Sequence, residues 1–330
     1  MLFCAFTTFS RSWWGHTHAI IAQNAQKFLS TKQINHINRI ISNGGFGQTN
    51  IVHVASWPDD LLANKVPSMA EWHYSDQPYI PFDNFSFPYP KPTYNVTSYI
   101  RDAWEILHDP TTTDMWAWTF HIRNLIHFVG DIHTPHHNVG RFTNELPDGD
   151  MGGNLYFLTC EWGDACKNIH FFWDSCILAF PIYYINYPIY ASDLVKNASL
   201  IEDEFPTKDF DDLTTVDVFK WSSESYEIAS TLGYQTPEQQ KPSEEYIQKA
   251  RHAAKRRVAM AGYRLGHMLK ELAEGGLMPE FPNEKLNART IIVWIIDGAL
   301  LLGVLVYVIL ILRISTRYNN TGLISSSTNL

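Results

Sequence analysis

Two His-x-x-x-Asp pairs constrain this chain more than any other feature: His127 with Asp131 in NLIHFVGD, and His170 with Asp174 in NIHFFWD. Residues four apart leave one face of one helical turn, so each pair presents a nitrogen and a carboxylate side by side if its segment is an α-helix. Both pairs lie in apolar runs, where an unmatched charge is costly. A single pair of this kind fits equally well a hydrogen-bonded couple on a half-buried helix. Two pairs, with more histidines between them, fit a set of metal ligands. Pro135 cannot continue the first helix, so TPHH is expected to present His136 and His137 from a loop at its end, with His133 just before it. GGN, Gly152 to Asn154, lies between the pairs.

A chain of 330 residues, 45% apolar and 18% charged, has the composition of one globular catalytic domain with an added hydrophobic segment. The net charge of −9 argues against a duplex binder that relies on a basic, phosphate-neutralising surface. A nucleic acid partner would have to be held by metal and by stacking.

Residues 1–12 carry a short apolar run, no acidic residue, and Ser10 and Ser12 near the end, as in a secretory signal cut before Trp13. The freed α-amino group, with a pKa of about 7.7–8.0, could then serve as a metal ligand, with His16 or His18 close by. Ala19–Leu29 reads as an amphipathic helix, and Thr31 as the cap of the next, which carries Ile34, Ile37 and Ile40. Asp59 in ASWPDD reads singly as a helix-capping acid, and His73 in EWHYSD as a packed histidine. Between Gln77 and Thr97 the chain turns rich in Pro, Tyr, Phe and Asn, as expected of a long surface loop. Asn84, Asn95 and Asn197 each begin a glycosylation sequon.

Once Cys4 leaves with the signal, Cys160, Cys166 and Cys176 remain. A Cys160–Cys166 bridge would close a small loop ahead of His170 and leave one thiol over. Glu244–Leu272 reads as a long helix that closes a bundle, with a basic stripe expected to face solvent. Residues 291–312 are apolar except for Asp297, long enough to span a bilayer, and followed by Arg313 and Arg317. The expected organisation is a signal (1–12), a catalytic domain (13–282), a linker (283–290), a transmembrane helix (291–312) and a cytoplasmic tail (313–330). That gives a single-pass type I protein with its catalytic domain luminal or at the cell surface.

In order along the chain, WWGHTH, ASWPD, WHYSD, HFVGD with TPHH, GGN and NIHFFWD resemble the zinc-dependent single-strand-specific nucleases, and AGYRLGHML continues the likeness. With its C-terminal anchor the chain looks most like the membrane-bound 3′-nucleotidase/nucleases of protists. The resemblance implies an all-α fold, a helical bundle enclosing a trinuclear zinc site, with one added transmembrane helix. It implies a first zinc on Asp59, His73, His127 and Asp131, and a second on His137, His170 and Asp174. A third falls on the amino and carbonyl groups of Trp13, on His18, and on Asp131 as a bridge. Spacing from the N-terminal Trp selects His18 over His16, and the family pattern selects His137 over His133 and His136. Asp59, Asp131 and Asp76 become the catalytic carboxylates, and Tyr74, Asp76 and Asn154 the substrate contacts. The implied substrates are single-stranded nucleic acid, cut to 5′-phosphate products, and 3′-nucleotides. Leu62 departs from the pattern, since many members place a phosphate-contacting Arg there.

Two other readings compete. A zinc phospholipase C of the same superfamily shares the N-terminal Trp and the helical fold, but Asp174 and the WHYSD residues favour the nuclease. A membrane-anchored receptor or adhesin with structural metals leaves the bridging Asp131 and the free N-terminus without a purpose.

Overall fold

The computed structural model describes residues 13–45, 47–81, 93–180, 191–281 and 288–325, with side chains of the last segment given for 295–314. The expected signal, the Asn84 sequon and residues 283–287 of the expected linker lie outside these residues. The chain divides into two units, Met1–Pro279 and Glu280–Leu330.

The first unit is mostly helical, as the resemblance implied, and is built around two buried helices. Helix α1 (Gly15–Ala25) packs against α9 (Glu244–Glu274) and α7 (Ala191–Glu204). It is not the amphipathic helix expected from Ala19 to Leu29. His16 through Ala22, Asn24 and Ala25 are all buried, because neighbours cover it on every side, and Gln26–Phe28 is a 3₁₀ turn. The approach to α9 is close: a Cβ on Gly266 would stand 2.5 Å from the Phe28 ring and 2.9 Å from the Ala25 carbonyl oxygen. The cap of α2 (Thr31–Asn43) is Ser30 rather than Thr31. Ser30 and Gln33 form a reciprocal capping box, which needs a hydroxyl three residues before the Gln.

Helix α5 (Met115–Ile132) is the second buried element. Asp114 caps it by accepting from the Trp116 and Ala117 amides, and the helix is buried from Ile122 to its end. It packs against α2, α3 (Trp57–Ala63), α4 (Val96–His108), α8 (Val218–Thr231) and α9. Short α6 (Ile169–Asp174) begins at the Asn168 cap. In the one sheet among the described residues, β1 (Pro78–Tyr79) pairs in parallel with β2 (Gly140–Arg141), Pro78 opposite Gly140. That ladder ties the segment after His73 to the segment after His137.

The basic stripe of α9 does not all face solvent. Arg257 and Arg264 are 2% and 1% exposed and both bind Glu224 of α8, with Nη1 atoms 2.8 and 2.7 Å from Oε2. Arg257 also donates to Ser225 Oγ, and Arg264 Nη1 lies 2.9 Å from His133 Nε2, so the clamp braces the chain just past α5. Buried guanidinium groups need such a partner, which helical periodicity alone does not reveal.

In the second unit, α10 (Ala288–Ser325) contains an apolar stretch, Ile295–Ile314, of 20 residues. At about 1.5 Å per residue it is long enough to cross a bilayer. The helix starts inside the expected linker and runs beyond residue 312, with no Pro or Gly between Gly303 and Gly322.

The clamp generates a prediction. Burial opposes ionisation of Glu224, but Arg264 and Arg257 outweigh it and hold the carboxyl below its ordinary 4.5. A depressed folded pKa gives stability that is complete above the unfolded value and lost as pH falls through the folded one. Glu224→Gln should therefore cost roughly 3–5 kcal/mol at pH 7 by leaving two buried cations unmatched. Urea denaturation should show the gap from wild type closing as pH falls below the ordinary glutamate range. A gap that stays constant with pH would contradict an ionised clamp.

Candidate metal centre

The site forms at the C-terminal end of α5, where one helical turn presents His127 and Asp131 together. His127 Nδ1 donates to the Ala55 carbonyl at 2.7 Å, which fixes the ring and turns Nε2 towards Asp131 Oδ2 at 3.2 Å. His73, the last residue of a 3₁₀ segment beginning at Pro67, brings Nδ1 to 2.9 Å from the same oxygen. Asp59, in the first turn of α3 behind Pro58, sets Oδ1 at 3.6 Å from His73 Nδ1 and 3.7 Å from His127 Nε2. Two imidazole nitrogens, His127 Nε2 and His73 Nδ1, face each other at 3.2 Å between these carboxylates.

The other oxygen of Asp131 serves a second neighbour. His18 Nε2 of α1 lies 3.2 Å from Oδ1, and its ring stacks on His127 at 4.0 Å. Gly130 makes this possible, because a Cβ there would stand 2.6 Å from His18 Nδ1. Trp13 is fully buried beside it, its indole N–H donating to the Gly130 carbonyl at 3.0 Å, and the Trp14 amide donates to the Asp174 carbonyl at 2.9 Å.

A further group forms between the second helical pair and the TPHH turn. Asp174 Oδ1 lies 3.5 Å from His137 Nε2, and Oδ2 lies 3.3 Å from His170 Nε2. Again the outer nitrogens are fixed by backbone: His137 Nδ1 donates to the His73 carbonyl at 2.6 Å, and His170 Nδ1 to the Gly152 carbonyl at 2.8 Å. Gly152 has a left-handed φ of +67°, and a Cβ on it would meet the His136 carbonyl at 2.4 Å. That accounts for the first glycine of GGN.

Among the described residues these side chains form three buried groups able to hold a metal ion: His18, His127 and Asp131; Asp59, His73 and His127; His137, His170 and Asp174. The donor atoms fit one. His137 Nε2 and both Asp174 oxygens are buried without a well-formed hydrogen bond, a cost that a divalent cation removes. Imidazole and carboxylate donors, with His127, His137 and His170 each oriented by a backbone carbonyl, suit zinc.

The remaining histidines of the sequence motifs lie outside these groups. His16 Nε2 accepts from Asn197, on α7, at 3.0 Å; His133 faces Arg264; His136 donates to the Gly152 carbonyl and packs by Trp173 and Tyr234. Tyr74 directly follows His73, and Asp76 lies two residues further on. Asp76 takes a left-handed φ of +41°, and burial and neighbouring Asp150 push its carboxyl up to about 7. The Asn154 amide donates to the Met151 carbonyl within its own turn, and Leu62 is buried on α3. Cys160 and Cys166 are disulfide-bonded and Cys176 is a buried thiol. Asn95 caps α4, with its Oδ1 accepting from the Ser98 amide. Sequence reasoning passed over Asn138 and Ser222, polar residues buried beside the TPHH turn. Only the position of Asn138 directly after His137 pointed to either.

A family model described as S1/P1 nuclease matches residues 13–274. The chain is similar to Endonuclease 1 of Arabidopsis thaliana, 27% identical over 285 residues that cover 79% of this chain and 87% of that one. It is also similar to Endonuclease 3 of the same plant, 25% identical over 174 residues, covering 50% and 54% respectively.

Charge within the groups predicts how metal loads. Burial works against protonation of His127 and His137, but Asp131 and Asp174 respectively outweigh it and raise both to about 9. Burial raises Asp174 to about 7. In metal-free protein these imidazoles therefore hold protons at neutral pH, and a metal must displace them. Calorimetric zinc titration at pH 7 in buffers of different ionisation enthalpy should show net proton release, and zinc affinity should fall steadily as pH drops below about 9. Heats independent of the buffer would show that these residues do not take up the zinc.

Proposed function

Because this chain belongs to the S1/P1 nuclease family, and is therefore a nuclease, we propose that it hydrolyses single-stranded RNA and DNA to 5′-phosphate products and removes phosphate from 3′-nucleotides. The reading rests above all on Asp131, a fully buried carboxylate whose two oxygens face different histidine sets, Oδ2 towards His73 and His127 and Oδ1 towards His18. A purely structural ion pair does not need both oxygens divided in this way. The proposed ligands are Asp59, His73, His127 and Asp131 for one zinc, His137, His170 and Asp174 for another, and Trp13, His18 and Asp131 for a third. Zinc bound there would supply Lewis-acid stabilisation of the phosphoryl group and an activated water, so that no side-chain nucleophile is needed.

The chain's own residues then bind and orient. Tyr74, half-buried and next to His73, offers a ring on which an unstacked base can lie, and Asp76 a carboxyl for the base edge. A base within a duplex is already stacked, which gives the preference for single strands. Asn154, the residue after the Gly-Gly turn whose Gly152 carbonyl orients His170, is the third proposed substrate contact. Leu62 supplies no charge for a phosphate, so binding depends on the metals and on stacking.

Export and anchoring belong to the same proposal. Removal of residues 1–12 would free the Trp13 amino group as a ligand, and the apolar stretch of α10 would hold residues 13–282 at the membrane on its luminal or extracellular side. The disulfide between Cys160 and Cys166 supports an oxidising compartment.

Asp131→Ala should abolish activity and lower zinc content more than His18→Ala or His170→Ala, as measured by elemental analysis of purified protein. Full zinc in the Asp131 variant would rule out the shared ligand. Tyr74→Ala should weaken 3′-nucleotides and single strands roughly 5- to 100-fold, from about 1–3 kcal/mol of lost stacking, with zinc content unchanged. If phosphatidylcholine or a base-free phosphodiester is the better wild-type substrate, the nucleotide reading is wrong.

A further inference from the structure

The segment Tyr74–Gln77 carries the proposed base contacts yet has no regular structure, and Asp76 within it holds a left-handed backbone conformation. For a residue with a Cβ that conformation costs on the order of 1–2 kcal/mol, so the surroundings must impose it. The residues on either side of Asp76 converge on one hydroxyl of α8. Gln77 Nε2 donates to Ser222 Oγ at 2.8 Å, and Ser75 Oγ lies 3.2 Å from the same atom. Ser222 Oγ in turn donates to Asn138 Oδ1 at 2.6 Å. Asn138 is fully buried and donates to the Ile132 and Thr134 carbonyls at 3.0 and 2.9 Å, gripping the end of α5. Backbone bonds complete the frame: the Ser75 amide donates to the His137 carbonyl at 2.8 Å, and the Gly140 amide to the Gln77 carbonyl at 2.9 Å.

We propose that Ser222 is a positioning residue for substrate binding, pinning Ser75 and Gln77 so that Tyr74 and Asp76 are held at a fixed place beside the metal groups. Among the described residues its hydroxyl bonds to Ser75, Gln77 and Asn138 and to no metal-group side chain. This rests on the reading of Tyr74 and Asp76 as the base pocket. Ser222 lies on a helix whose sequence carries none of the family motifs, far along the chain from the segment it fixes, so only the folded structure brings the two together.

The test is Ser222→Ala, assayed on a single-stranded oligonucleotide and on an abasic strand of the same length, with zinc content and thermal midpoint as controls. KM for the base-bearing strand should rise about ten-fold, the effect of removing one partner from a buried hydrogen-bonded group. The abasic strand's kinetics, kcat on both strands and zinc content should stay at wild-type values. Gln77→Met removes one arm alone and should raise the same KM by less, and the double variant should be no worse than Ser222→Ala, since both act through one atom. Loss of zinc, a fall in kcat, or equal effects on both strands would overturn the proposal and make Ser222 a support of the metal turn. If Ser222→Ala does not fold, an unchanged KM in Gln77→Met overturns it instead. A wild-type enzyme that treats base-bearing and abasic strands alike would refute the base pocket itself, a result visible before any variant is made.

Discussion

A carboxylate buried at the end of an apolar helix cannot stay unmatched, and the fold around Asp131 matches it on both sides. An isolated ionised carboxyl in a dry interior is costly enough that it would normally take up a proton. Here burial does push that way, but His127, His18 and His73 outweigh it and hold Asp131 well below the usual carboxylate range. Those three histidines come from α5, α1 and the 3₁₀ segment ending at His73. A shift of any of these elements would leave the Asp131 charge less well matched.

Three histidines of the centre are themselves held by main chain. Backbone carbonyls of Ala55, His73 and Gly152 accept from the outer nitrogens of His127, His137 and His170. A carbonyl cannot be replaced by substituting its side chain, so these orientations depend on loop conformation rather than on any particular side chain. The His73 carbonyl has a double part: His73 offers its ring to the first group while its own backbone orients His137 in another. The groups are therefore tied through one residue as well as through Asp131.

Much of this could be read from the sequence, for a specific reason. Helical spacing is rigid, so i and i+4 residues such as His127 and Asp131 announce a shared face. The resemblance extended that to Asp59, His73 and His18, which spacing alone could not join, since they come from short segments far apart along the chain. What escaped reading depends on tertiary covering. Arg257 and Arg264 looked like a solvated stripe until Glu224 was seen opposite them. Likewise α1 looked amphipathic, although neighbouring helices close over both its faces. Ser222 and Asn138 are ordinary polar residues whose role exists only through what the fold sets against them.

The seating of α1 on α9 bears on how such an enzyme is made. The two helices come from opposite ends of the catalytic unit, and their contact is among the most distant in sequence that the fold contains. The ribosome releases α1 early and α9 late, and loop-closure entropy delays a contact of that range until its partner has emerged. Together with α7, α9 holds α1 where His18 meets Asp131. Completion of the centre is therefore tied to the last helix of the catalytic unit, and a chain cut short before α9 would lack the support that seats His18.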